Sequence, residues 1–150
     1  MRIIADSSCD LYSLDFPDFR TVPLTVYTDE KSFTDDTSLN IKEMLDYLAA
    51  YKGRSYTSCP SADAWMSAFE GASEIFVLTV TSALSGSYNS AVLAAQMYRE
   101  EHPEVKISVI DSLSTGAEEA LLLYKLAELA GSGLPFEAVD EKIRAYLKRS

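Results

Sequence analysis

The sequence predicts a three-layer α/β/α domain built on a mostly parallel sheet. Short β-branched runs alternate with longer helical patterns, the order expected when each strand is followed by a covering helix. The strand runs are almost continuously apolar, as they are when helices lie on both faces of a sheet. Helix starts and stops fall where the periodicity changes, with Ser, Thr or Asn opening a helical stretch and Gly closing it.

The first strand is Arg2 to Ala5, and the second runs from Thr21 to Tyr27. Between Thr28 and Asn40, "TDEKSFTDDTSLN" is polar and reads as a solvated excursion with a short hairpin edge; its acids lack the regular spacing of a calcium loop. Asn40 caps a helix from Ile41 to about Lys52, with Glu43 at the capping-box position and Gly53 as the stop. Ser61 caps the next, Ala62 to Glu70, which Gly71 closes. The third strand is Ile75 to Val80. Serines of "LSGS" precede a helix from Tyr88 to Glu101, whose Ala91, Val92, Ala95 and Tyr98 share one face and whose small residues let it lie close to the sheet. The fourth strand, Lys106 to Ile110, leads to a helix over "GAEEALLLYKLAELA", opened by a capping box of Thr115 and Glu118 and ended by Gly131. Pro135 starts the last helix, Phe136 to Lys148.

Composition removes several classes of function. At 150 residues the chain has the size of one domain, residues 1–150, without internal repeats or a low-complexity linker. Its 23 acidic and 13 basic side chains give a net charge of -10, and no basic cluster offers a nucleic-acid footprint. No apolar run approaches the ~20 residues of a membrane helix, and "MRIIADSS" is too short in its apolar part for a signal peptide. The expected location is therefore cytoplasmic, without stable membrane insertion. Cys9 and Cys59 are too few for a disulfide scaffold and are expected as thiols.

In open α/β sheets, ligands bind beyond the carboxyl ends of the strands. Here that edge is uniformly hydroxyl-rich: "ADSS" with Asp6 and Ser7 follows the first strand, "TSALSGS" with Ser85, Gly86 and Ser87 the third, and "DSLSTG" with Asp111 the fourth. "YTSCPS", with Thr57 and Ser58, precedes a further helix. Hydroxyls and free N–H groups at a helix N-terminus hold a carboxylate or phosphate, and Gly86 lets a ligand approach the backbone. Serine is also the preferred helix cap, which needs no ligand. One such loop argues for capping; the converging set argues for a site.

Catalytic and metal chemistry find little support. The single histidine, His102, sits at a helix end among charged residues, and neither a G-x-S-x-G elbow nor an S-x-x-K pair occurs. "GSGLPF" follows a helix instead of a strand, and no P-loop is present. Two distant cysteines and one histidine do not make a zinc set, so no metal or cofactor is expected. The acidic pairs Asp35–Asp36, Glu100–Glu101 and Glu118–Glu119 suit solvated surfaces. Asp6 and Asp111 each end a strand before a serine and are expected to order neighbouring loops. Two other readings stand beside an anion-binding protein: a small phospho- or ester-substrate enzyme using Ser85 as nucleophile, and an interaction module without a ligand.

The ordered series "ADSSCDL", "VPLTVY", "TSCPS", "TSALSGSYNSA" and "VIDS" resembles the DegV family of bacterial fatty-acid-binding proteins, specifically its N-terminal lobe. Cys59 stands where the family usually has glutamine, and Ser87 where threonine is usual. The resemblance implies a long-chain fatty acid whose carboxylate is held by Thr57, Ser58, Ser85 and the backbone around Gly86, with Ser87, Ser7 and Asp111 on neighbouring loops as further ligand-binding candidates. It further implies a carrier that is not itself an enzyme and presents the acyl group to a separate fatty-acid kinase for phospholipid synthesis. Family members carry a C-terminal lobe that helps enclose the acyl chain, and this chain stops short of it. A single lobe is then expected to expose apolar surface that a second lobe, or a second copy in a homodimer, covers.

Overall fold

The computed structural model describes residues 1–9, 14, 16–34, 40–81, 86–114 and 116–149. In chain order the elements are β1 (Arg2–Asp6), β2 (Phe19–Val22), β3 (Thr25–Tyr27), β4 (Ser32–Thr34), α1 (Ile41–Ala50), β5 (Tyr56–Ser58) and α2 (Ala62–Phe69). They continue with β6 (Glu74–Thr79), α3 (Ser87–Glu101), β7 (Lys106–Asp111), α4 (Gly116–Ala130) and α5 (Phe136–Arg149). A short 3-10 turn, Ser7–Cys9, follows β1.

The main sheet has the order β2-β1-β6-β7, and all its pairs are parallel. Because successive strand residues point to opposite faces, β1 divides its side chains between two cores. Ile3 and Ala5 join Phe76, Leu78 and Ile110 beneath α4 and α5, where Leu123, Leu126, Val139 and Ile143 are fully buried. Ile4 joins Ile75, Val77 and Ile107 beneath α2 and α3, with Trp65, Phe69, Ala91, Ala94 and Ala95. Both faces being covered explains the unbroken apolar runs, and the three-layer expectation holds.

The second predicted strand is in fact two. Pro23 lies between β2 and β3 and has no N–H for a ladder, so the chain leaves the main sheet there. β3 instead pairs antiparallel with β4 and β5 in a separate three-stranded sheet of order β4-β3-β5. The expected hairpin is β3–β4, closed by Thr28 N donating to Lys31 O at 2.7 Å. Residues 35–39, with Asp35 and Asp36, lie outside the described residues, as does Thr115.

Helix caps match the sequence in part. Asn40 Oδ1 accepts from Glu43 N at 3.1 Å, and Ser61 Oγ from Ala64 N at 3.2 Å. Glu43 does not complete a capping box; its carboxylate pairs with Lys31 at 3.0 Å. The Glu118–Glu119 pair departs from expectation. Glu118 is exposed, but Glu119 is fully buried, because 119, 122, 123 and 126 form the inward stripe of α4. Glu100 and Glu101 are exposed as expected. Among the described residues, no helix is long and apolar enough to cross a membrane.

The close approach of α3 to the sheet depends on Ala91, Ala94 and Ala95, each 1% exposed or less. Ala94→Leu is expected to cost about 1–3 kcal/mol through overpacking, measured by urea denaturation. Ala94→Ser at the same place is expected to cost less, since it adds almost no volume.

Candidate functional site

β1, β6 and β7 end on the same edge of the parallel sheet, and α3 begins there. Asp6, the last residue of β1, is fully buried. Its Oδ2 accepts from Val80 N at 2.8 Å and from Ser87 Oγ at 2.8 Å. One carboxylate thereby joins the end of β1, the residue after β6 and the first residue of α3. Ser7 is also buried, and its Oγ accepts from Leu24 N at 2.9 Å, which pins the connection between β2 and β3. The expected ordering role of Asp6 is what the geometry shows. Ser87 and Ser7, named as ligand candidates, are both buried: Ser87 Oγ donates to Asp6, whereas Ser7 Oγ is an acceptor for Leu24 N.

Gly86 is the N-cap residue of α3 and has no side chain of its own to cap it. Of the serines of "LSGS", Ser87 is already inside the first turn, and its hydroxyl serves Asp6. Ser85 lies outside the described residues. Across from Gly86 stands the "TSCPS" segment: a Cβ at Gly86 would sit 3.5 Å from Cys59 Sγ. Ser90 in α3 locks this approach by donating from Oγ to Pro60 O at 2.7 Å. Thr57 and Ser58 are held by β5, whose register places Thr57 opposite Val26 and Ser58 opposite Thr25. Ser58 is exposed beside this junction, and Cys59 is partly buried.

Asp111 plays a local part. Its Oδ1 accepts from Leu113 N at 3.0 Å, and Ser112 Oγ accepts from Ser114 N at 3.2 Å. These bonds hold Leu113 at φ 59, a left-handed conformation rare for a residue with a Cβ. Leu113 is 68% exposed and, with Leu121, Leu122 and Tyr146, walls a cavity of about 280 Å³. Thr81 N donates to Ser114 O at 2.9 Å, so this loop runs beside the end of β6. Asp111 is thus a turn-forming residue of the same edge.

The loops grouped from the sequence meet near one sheet edge, and Ser90, which the sequence does not mark out, ties two of them together. His102 caps the other end of α3. Fifteen residues of helix, ~22 Å at 1.5 Å per residue, separate it from Gly86. Among the described residues, no three His, Cys, Asp or Glu side chains converge to hold a metal. Both cysteines are free thiols.

The model of the family described as "Uncharacterised protein, DegV family" matches residues 1–150. A DegV domain-containing protein of Streptococcus pneumoniae is 48% identical over 153 aligned positions, covering 99% of this chain and 54% of the relative. A solved DegV family protein of Eubacterium eligens, loaded with heptadecanoic acid, superposes with a TM-score of 0.96 at 49% identity, over 99% of this chain and 54% of that one. The Fatty Acid Kinase B3 protein of Streptococcus pneumoniae, loaded with linoleic acid, superposes at 0.95 with 48% identity, over 98% of this chain and 54% of its own. The chain spans about half the length of the relatives it matches.

Removing the Asp6 carboxylate leaves buried donors at Val80 and Ser87 unmet. Asp6→Ala is expected to cost about 3 kcal/mol and to speed hydrogen exchange at the Val80 amide. Asp6→Asn, which keeps an acceptor oxygen, is expected to cost clearly less. Equal losses in the two variants would show that hydrogen bonding at this position is not what holds the edge together.

Proposed function

The chain belongs to the DegV family, and from that premise we propose that it forms the carboxylate-gripping lobe of a fatty-acid carrier. The observation that carries the reading is the junction of two hydroxyl-rich segments. Cys59 of "TSCPS" lies against Gly86 of "LSGS", the glycine at which α3 opens. The start of a 15-residue helix favours a negative oxygen. Ser58, Ser85 and Thr57 are the hydroxyls we assign to the carboxylate. Ser87, Ser7 and Asp111 support those loops without touching the ligand.

The ligand class follows from the relatives, which are described as loaded with heptadecanoic and linoleic acid. The description of one relative as a Fatty Acid Kinase B3 protein supports a kinase as partner. A carrier without turnover of its own agrees with the distance between His102 and the junction, since no imidazole reaches a serine there to activate it. We place this carrier in the cytoplasm, with its acyl chain enclosed partly by protein beyond the lobe. Burial of a dozen methylenes at ~0.8 kcal/mol each demands such an enclosure, which a single edge of loops does not supply.

Native mass spectrometry of the protein purified from bacteria is expected to show fatty-acid adducts. Ser58→Ala and Ser85→Ala each remove a hydrogen bond to a charged group, about 1.5–3 kcal/mol, and are expected to weaken binding of a labelled fatty acid roughly tenfold or more. Gly86→Ala is a milder probe, since its methyl meets only Cys59 Sγ at an ordinary contact distance. Its fold is expected to survive while binding falls. Absence of adducts together with no binding of labelled fatty acid would overturn the reading, and turnover of an ester or phosphoester lost in Ser85→Ala would replace it with an enzyme.

A further inference from the structure

β7 is the outer strand of the parallel sheet, and among the described residues no strand pairs with its far side. Lys106 N donates to Ser73 O at 2.9 Å and Ser112 N to Thr79 O at 3.1 Å, so the even-numbered residues turn their backbone groups toward β6. By the two-residue period of a strand, Ile107 and Val109 turn theirs outward. Both outward carbonyls are occupied. Arg99 of α3 donates from Nη1 to Ile107 O at 3.0 Å, and Arg144 of α5 donates from Nη2 to Val109 O at 3.3 Å. α3 and α5 cover opposite faces of the sheet, so the two guanidinium groups reach around the edge from both sides.

Arg144 is itself fixed. Its Nε pairs with Asp140 Oδ1 at 3.0 Å, and its Nη2 donates to Ser108 Oγ at 2.8 Å. Ser108 Oγ in turn donates to Asp140, closing a small ring of polar bonds over the strand.

We infer that Arg99 and Arg144 form a clamp that closes the β7 edge to any further strand, and that this clamp keeps the sheet from joining a second copy of itself. The need for it lies in the strand. Val105, Ile107, Val109 and Ile110 give a segment of high β-propensity without proline, the composition that turns an open edge into a template for association. Lys106 and Asp111 bracket it with charge. Charge at the ends leaves the middle carbonyls open, whereas an incoming strand must deliver its N–H groups to the same two oxygens that the arginines hold. Antiparallel pairing of two copies about Val109 would make one continuous sheet across a two-fold axis. This inference is independent of the fatty-acid reading.

The test compares Arg99→Ala/Arg144→Ala with the wild type by size-exclusion light scattering over a concentration series. Titration with a fluorescent peptide of sequence KISVID, the β7 segment itself, forms its second arm. The double variant is expected to associate beyond the wild type and to bind the peptide, while the wild type does not bind it. Arg99→Lys/Arg144→Lys keeps the charges but offers each carbonyl only a point donor, and is expected to bind the peptide at an intermediate level. A folded double-alanine variant with wild-type association and no peptide binding overturns the clamp, as does peptide binding by the wild type. Should loss of Arg144 unfold α5, Arg99→Ala alone carries the same test at Ile107, because Arg99 makes no ion pair among the described residues.

Discussion

The carboxylate of Asp6 is the constraint on which the sheet edge depends. A buried carboxylate is costly unless donors surround it, and Val80 N and Ser87 Oγ are two that do so. Meeting that need fixes how β6 leaves the sheet and where α3 begins. Once α3 begins at Ser87, Gly86 is its N-cap, and Ser90 falls one turn along, where its hydroxyl reaches Pro60 O. The "TSCPS" segment is held at the helix start by that bond, with Cys59 Sγ next to Gly86. One side chain at the end of β1 thereby sets the distance between two loops that are nearly thirty residues apart.

Asp6 also changes how an anion is held nearby. The N-terminal end of α3 favours negative charge, but Asp6 already places a carboxylate against its first residue. Part of that field is spent on the protein's own acid. The chain as a whole carries a net charge of -10, which further opposes a second anion. On the proposed reading, a ligand carboxylate at this junction is gripped by direct hydrogen bonds from hydroxyl and amide donors more than by long-range attraction. Such donors discriminate by geometry and number, and this is why the hydroxyls of Ser58 and Ser85 matter to the reading more than the helix dipole does.

Much of the fold was legible because two-faced burial writes itself into β1, β6 and β7 as continuous apolar runs. Their hydroxyl-rich ends pointed correctly to one sheet edge. What stayed hidden were the effects of single residues on partners distant in sequence. Pro23 divides a run that looks like one strand, since the missing N–H matters only once a neighbouring strand is in place. Glu119 reads as half of a surface pair until the inward stripe of α4 is known. Ser87 and Ser85 look alike in "LSGS", and only the position of Asp6 shows that Ser87 is engaged inside. Arg99 and Arg144 carry no signal at all, because which carbonyls face outward is decided by the register between β6 and β7.

The two halves of the proposed junction are not equally firm. Gly86 begins a helix whose Ala91, Ala94 and Ala95 are sealed against the central sheet. Ser58 belongs to a three-stranded sheet backed by α1, a helix with no fully buried residue. That smaller unit is attached through a few polar pins, Ser7 to Leu24 and Ser90 to Pro60 among them. Segments with little buried apolar area open at lower free energy than the core, so the "TSCPS" side is the one that yields first. A carrier that must admit and release its cargo needs one wall that gives way without unfolding the other. In the proposed carrier the two walls come from different sheets, and hydrogen bonds such as Ser90 to Pro60 join them.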